Sequence, residues 1–175
     1  GLRPPEWVAL QNFRAVFLEE SLFWPALQHN LFLTGVGGIL IISLALIFAA
    51  LLHRRVRGAA VFRVVFFFPN TIAAVAVALL WILLYSATNF GLINAALAGL
   101  QGWGVPVPVD LPFPFLASQH LLIALVPMLV WALTGFYMVL FFAAMQNIPE
   151  EYYEAATLDG ATGTQQFFHI TLPLI

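Results

Sequence analysis

Cysteine is absent from the 175 residues, and so is lysine. The first absence excludes disulfides, thiolate zinc sites and cysteine nucleophiles. The second removes the phosphate-gripping GxxxxGK[ST] loop of ATP hydrolases, so any ATP used with this chain is bound by another. Charge of either sign is scarce: six arginines and eight acids make up 8% of the chain, against about 25% in soluble domains. The net charge of −2 provides no electrostatic footprint for nucleic acid. What is abundant is apolar surface, with 62% hydrophobic and 15% aromatic residues, more than a soluble fold of this length could cover.

That surface is concentrated in three stretches, at about 30–52, 64–85 and 119–146, none of which holds a charged side chain. Each has the length at which a helix rising 1.5 Å per residue crosses about 30 Å of hydrocarbon. The pattern predicts an all-α fold, a polytopic transmembrane helical bundle. Arg54, Arg55, Arg57 and Arg63 lie between the first two stretches, and the excess of arginine and lysine on inner loops places segment 53–63 in the cytoplasm. Segments 1–29 and 86–118 then face outward, and by parity segment 147–173 is cytoplasmic again.

Residues 1–29 mix Trp7, Phe13, Phe17, Phe23 and Trp24 with Arg14, Glu19 and Glu20, which suits an outer interfacial helix and lead-in. A plain lead-in to the first span is the alternative. In the outer loop, 89–99 suits a short helix, and Pro106, Pro108, Pro112 and Pro114 favour a stiff, extended connection that serves as a span connector or a docking surface. Small residues four apart, Thr34 and Gly38, Ala45 and Ala49, Ala74 and Ala78, allow close helix packing in lipid. Pro69 and Pro127 are expected to kink or break the second and third spans, either as structural bends or near a transport pathway. The chain opens on Gly1 and stops as an apolar run begins at Leu172, so both ends read as cut.

No Asp, Glu, Lys or Arg sits inside the three stretches to serve a proton relay or ion site. His29, His53, His120 and His169 lack metal or catalytic spacing, and Ser43 and Ser86 lack a base, so no metal, cofactor or catalytic residue is expected. A membrane scaffold and an intramembrane enzyme stay open as other classes.

The segment after the third span carries the most specific signal. Pro149 at the first helical position, Glu150 and Glu151 in the first turn and Gly160 after the end describe a short helix. Thr162 followed by Gln165 fits a capping box that opens a second helix, which Phe167, Phe168 and Ile170 would anchor ahead of Pro173. Ala155 and Ala156 beside Glu154 would let another backbone approach while the carboxylate finds a base. An ordinary amphipathic loop and a docking element both fit these residues.

Glu154-Ala155-Ala156, then Gly160, Ile170, Leu172 and Pro173 at their spacings, resemble the EAA loop of binding-protein-dependent ABC importer permeases. The resemblance extends through Arg63 to Pro69, Ala76 to Trp81, Gly91 to Asn94, Gly135 to Met138 and Gln146 to Glu150, which look most like the carbohydrate-uptake permeases related to the maltose and glycerol-3-phosphate systems. It implies the ABC importer type I permease fold, with 30–175 as the permease transmembrane domain and 147–173 as the cytoplasmic EAA coupling loop. It further implies a place in the cell inner membrane, and a family chain with one more span before this segment and two after it. The implied partners are ABC ATPase subunits, a second permease subunit, an extracytoplasmic solute-binding protein and membrane lipid, with a sugar or sugar-like solute as cargo. Glu154 would make a polar contact with the ATPase, Ala155 and Ala156 would pack closely, Asp159 and Gly160 would form the turn, and Ile170, Leu172 and Pro173 would seat the second helix.

Overall fold

The computed structural model describes residues 7–53, 59–88 and 91–175. Arg54, Arg55 and Arg57, and with them most of the basic segment, lie outside the described residues. The chain is helical throughout: α1, Gln11–Arg14 continued by a π-turn Ala15–Glu19; α2, Phe23–His53; α3, Ala59–Phe67; α4, Ala74–Leu84; α5, Leu92–Gly102; α6, Ser118–Gln146; α7, Glu150–Leu158; and α8, Gly163–Gln166, which runs on through a π-turn Phe167–Thr171 into Leu172–Leu174.

Among the described residues two helices are long and apolar enough to cross a bilayer unaided, α2 with 31 residues and α6 with 29. The first begins at Phe23, seven residues before the expected 30. Pro25 falls in its first turn, where its missing N–H costs nothing, and Trp24 Nε1 donates to Phe17 O at 3.0 Å, fixing the corner with α1. Phe17 and Phe23 meet edge to face at 5.0 Å across the same corner.

The expected span 64–85 is broken near Pro69, as that proline predicts, and its first bound is corrected. Its helix starts at Ala59, so Arg63 lies within it, and after a 3-10 turn at Phe68–Thr71 the chain bends by 112° into α4. Pro69 supplies no backbone donor, and Thr71 Oγ1 donates to Phe68 O at 2.7 Å, satisfying one carbonyl at the break. Arg63 lays its guanidinium 5.5 Å from the centre of the Phe142 ring. Pro127, by contrast, leaves α6 continuous. A donor from another segment supports its turn, since the Tyr85 hydroxyl bonds Ala124 O at 2.8 Å.

The core is the seam between α2 and α6. Ile41, Ala45, Ala49 and Leu52 recur on one face of α2 at intervals of three and four, and Thr134, Met138 and Met145 are buried on α6. Of the three small-residue pairs, Ala45 and Ala49 are the buried one. Ala74 and Thr34 are exposed. Gly135 is in contact with the α3 backbone, where a Cβ would collide with Phe66 O. The ends of α2 and α6 lie together, with Leu52, His53, Met145 and Gln146 lining one cavity. These two helices therefore run parallel, and the chain between them must return across the bundle. The bent pair α3–α4 makes that return. Large apolar side chains such as Ile39, Leu83 and Ile123 point outward, as they do where lipid is the solvent.

At the far end, α5 starts three residues later than expected. The proline-rich stretch folds back on the bundle, which corrects the extended connection. Buried Asn94 causes this: its Nδ2 donates to Ser86 O and Phe113 O at 3.0 and 3.1 Å, and its Oδ1 accepts from Phe113 N at 2.8 Å. Phe115 then stacks on Tyr85 at 4.9 Å.

Candidate functional site: a helical hairpin at one end of the bundle

The end of the bundle where α2 and α6 finish carries a compact hairpin, α7 and α8. Asn147 closes α6, its Nδ2 donating to Ala143 O at 3.3 Å. Pro149 sits one residue outside α7, as its N-cap with φ −58° and ψ 136°, where the sequence places it inside. Its extended ψ starts the helix at Glu150, so Glu150 and Glu151 fill the first turn beside the positive dipole end.

The turn out of α7 is a Schellman motif. Gly160 N donates to Thr157 O at 3.0 Å and Ala161 N to Ala156 O at 2.9 Å, with Gly160 at φ +81°. Two residues later the capping box opens α8: Thr162 Oγ1 accepts from Gln165 N at 3.4 Å, and Gln165 Oε1 accepts from Thr162 N at 2.7 Å. Sequence signals alone thus place both helix ends.

The hairpin presents one face and seats the other. Glu151, Glu154, Ala155 and Leu158, at i, i+3, i+4 and i+7, are exposed, whereas Tyr153 and Ala156 turn inward. Glu154 forms no ion pair among the described residues, and Leu158 is 90% exposed. Asp159 and Gly160 are exposed at the turn, and no heavy atom lies within contact of a Cβ built on Gly160. Ala156, Asp159, Gly160, Ala161, Gln165 and Ile170 line a shallow notch of about 320 Å³ on this face. Ile170 is half-buried, while Leu172 and Pro173 are exposed.

Three residues that the sequence reading left aside hold the hairpin together. Gln166 Nε2 donates to Thr157 Oγ1 at 2.9 Å and reaches Tyr153 O and Ala161 O at 3.5 and 3.4 Å. The Tyr153 and Thr171 hydroxyls are 2.9 Å apart in a hydrogen bond, and Thr171 is buried. Tyr153 also sets its ring 6.0 Å from that of His53, the last residue of α2. The available signal was periodicity, since Tyr153 and Ala156 are three apart on the side opposite Leu158. Inside this end, a cavity of about 860 Å³ is lined by His53, Phe142, Gln146, Glu150, Tyr153 and Gln166, among others.

Comparison with known proteins agrees with this geometry. Residues 41–175 match the family described as "Binding-protein-dependent transport system inner membrane component". The probable ABC transporter permease protein YesP of Bacillus subtilis is 34% identical over 98% of this chain and 53% of its own. The diacetylchitobiose uptake system permease protein NgcF of Streptomyces coelicolor is 34% identical over 97% of this chain and 49% of its own. This chain therefore spans about half the length of these relatives. Among solved structures, a bacterial alginate ABC transporter, in complex with an alginate pentasaccharide-bound periplasmic protein, superposes with a TM-score of 0.75 at 26% identity, over 96% of this chain and 56% of that one. The bundle is thus the transmembrane fold of an ABC importer permease, and the chain belongs to the family of binding-protein-dependent transport system inner membrane components.

Proposed function

We propose that this chain is the membrane-spanning part of a permease subunit that imports a solute delivered by an extracytoplasmic binding protein, driven by a separate ABC ATPase docked on the α7–α8 hairpin. The single observation that carries the reading is the hairpin itself: a rigid, doubly capped pair of helices whose outer face exposes Glu154, Ala155 and a nearly bare Leu158. Such a face is built for a partner. With no lysine in the chain, ATP binding through a phosphate-loop lysine falls to that partner.

In this reading segments 53–63 and 147–173 face the cytoplasm of a cell whose inner membrane holds the protein. The helix α1 lies along the outer surface, and a second permease subunit covers part of the apolar exterior. Binding of ATP draws paired ATPases together, the docked hairpins follow, and the bundle changes the side on which the solute site opens. Glu154 makes a polar contact, Ala155 and Ala156 permit close approach, and Asp159 and Gly160 shape the turn. Ile170, half-buried, sets the second helix against the body, whereas the exposed Leu172 and Pro173 do not.

The cargo is a sugar or sugar-like solute. Two of the similar proteins carry a saccharide in their names, diacetylchitobiose and alginate, and the spans α2 and α6 contain no Asp, Glu, Lys or Arg to pair with a charged solute. The test is ATPase activity of the complete reconstituted complex. Stimulation by a saccharide-loaded binding protein is expected, and stimulation confined to amino acids, peptides or metals would sink the cargo assignment.

A further inference from the structure

We infer that Tyr153 is the pin through which movement of the hairpin reaches the transmembrane helices, a positioning residue for transport that no sequence signature marks. The inference rests on the reading of α7 as the docking helix. A force on the exposed face of α7 has few ways into the bundle. Of the nine residues of α7, only Tyr153 and Ala156 are withdrawn from solvent, and Ala156 has no side chain beyond Cβ. Tyr153 meets two elements, the end of the span α2 at His53 and the second helix of the hairpin at Thr171.

Its hydroxyl bonds Thr171 Oγ1 at 2.9 Å, one residue before the helical segment Leu172–Leu174. Its ring lies against His53, which ends α2 a hundred residues earlier in the chain. Its carbonyl accepts from Thr157 Oγ1 at 2.7 Å and faces Gln166 Nε2 at 3.5 Å, so the residue is held on its own helix and on α8 together. Thr171 is 5% exposed, and water is a poor substitute for the tyrosine hydroxyl there. Without this side chain α7 would keep its covalent connections at 147–149 and 159–162 and the Gln166 bond to Thr157, about which it could rock without moving α2. Docking and transmission are thus assigned to opposite faces of one helix.

The test uses the full-length permease in its complete complex. Tyr153→Phe keeps the ring against His53 and removes the bond to Thr171, and Thr171→Val removes the same bond from the other side with little change in shape. Two quantities are read: ATPase retained on the purified permease, and solute transported per ATP hydrolysed. Each variant should retain ATPase as the wild type does, while transport per ATP falls by roughly fivefold, the size of one net hydrogen bond. The double variant should lose no more than either single one, because both lose one shared bond. Wild-type transport per ATP in either variant overturns the inference. So does loss of ATPase from either, because Tyr153 would then belong to docking. If the wild-type permease itself retains no ATPase, the docking reading has failed and the inference falls with it, a result seen before any variant is made.

Discussion

Gly160 holds φ +81° with open space where a Cβ would stand, so a substitution there tests backbone conformation free of any internal clash. A β-branched residue in this left-handed region costs roughly 1–2 kcal/mol, which is about fivefold to thirtyfold in an equilibrium. Gly160→Val should therefore weaken ATPase retention at least severalfold while membrane insertion stays normal, and normal retention with normal uptake would show that the hairpin is not the coupling element. Glu154 and Leu158 sit one turn apart on the exposed face of α7, proposed to dock the ATPase, and should behave differently. Glu154→Ala removes an exposed charge, so its smaller effect should fade in high salt. Leu158→Ala gives up an apolar side chain whose burial is worth about 1.5–3 kcal/mol, so its loss of retained ATPase, about tenfold or more, should persist in high salt. Titrating retention against salt separates the two. At this scale the sequence was legible wherever backbone geometry dictates the residue: glycine for the αL turn, and threonine with glutamine for the cap. It was opaque at Tyr153, Gln166 and Thr171, because their roles depend on which elements face each other, and no local spacing encodes that.

The two long spans and the hairpin were readable as elements because lipid demands uninterrupted apolar length and helix ends demand caps. In the middle span the break at Pro69 was legible, but its size was not, for a physical reason. Hydropathy reports which residues prefer hydrocarbon, and the run from Val64 to Tyr85 is uniformly apolar, yet Pro69 and the turn at Phe68–Thr71 redirect the chain by 112° within that run. Hydropathy is blind to direction. The bend is stabilised from outside the segment, since Gly135 lets the α3 backbone at Phe66 lie directly on α6. Gly135→Val forces a side chain into that backbone and should lower the melting temperature of the full-length protein in detergent, with a cost of about 1–3 kcal/mol or more. Gly99, inside α5 with nothing near a Cβ, is the contrast: Gly99→Ala should be neutral or stabilise by about 0.5–1 kcal/mol. Equal effects of the two substitutions would mean that α3 and α6 are not in backbone contact.

For the whole molecule, side and parity are two separate claims that one experiment can divide. Parity follows from packing: α2 and α6 end together around His53, Met145 and Tyr153, so the bent pair between them must cross, and His53 lies at the same end as the hairpin. Orientation follows from charge, because four of the six arginines fall between α2 and the break, and inner loops retain arginine. The absence of native cysteine leaves a clean background for labelling. Trp103, 84% exposed at the opposite end, is a better outer position than Gly104, whose φ of +82° would strain any side chain. Single variants Arg57→Cys, Thr164→Cys and Trp103→Cys of the full-length protein should then react with a membrane-impermeant thiol reagent on intact cells only at position 103. Reaction at 57 and 164 but not at 103 would preserve the packing and reverse the orientation, placing the hairpin out of reach of a cytoplasmic ATPase. Different behaviour at 57 and 164 would be more damaging, since those two positions share a side only if α3 and α4 together cross the membrane and α2 and α6 run parallel.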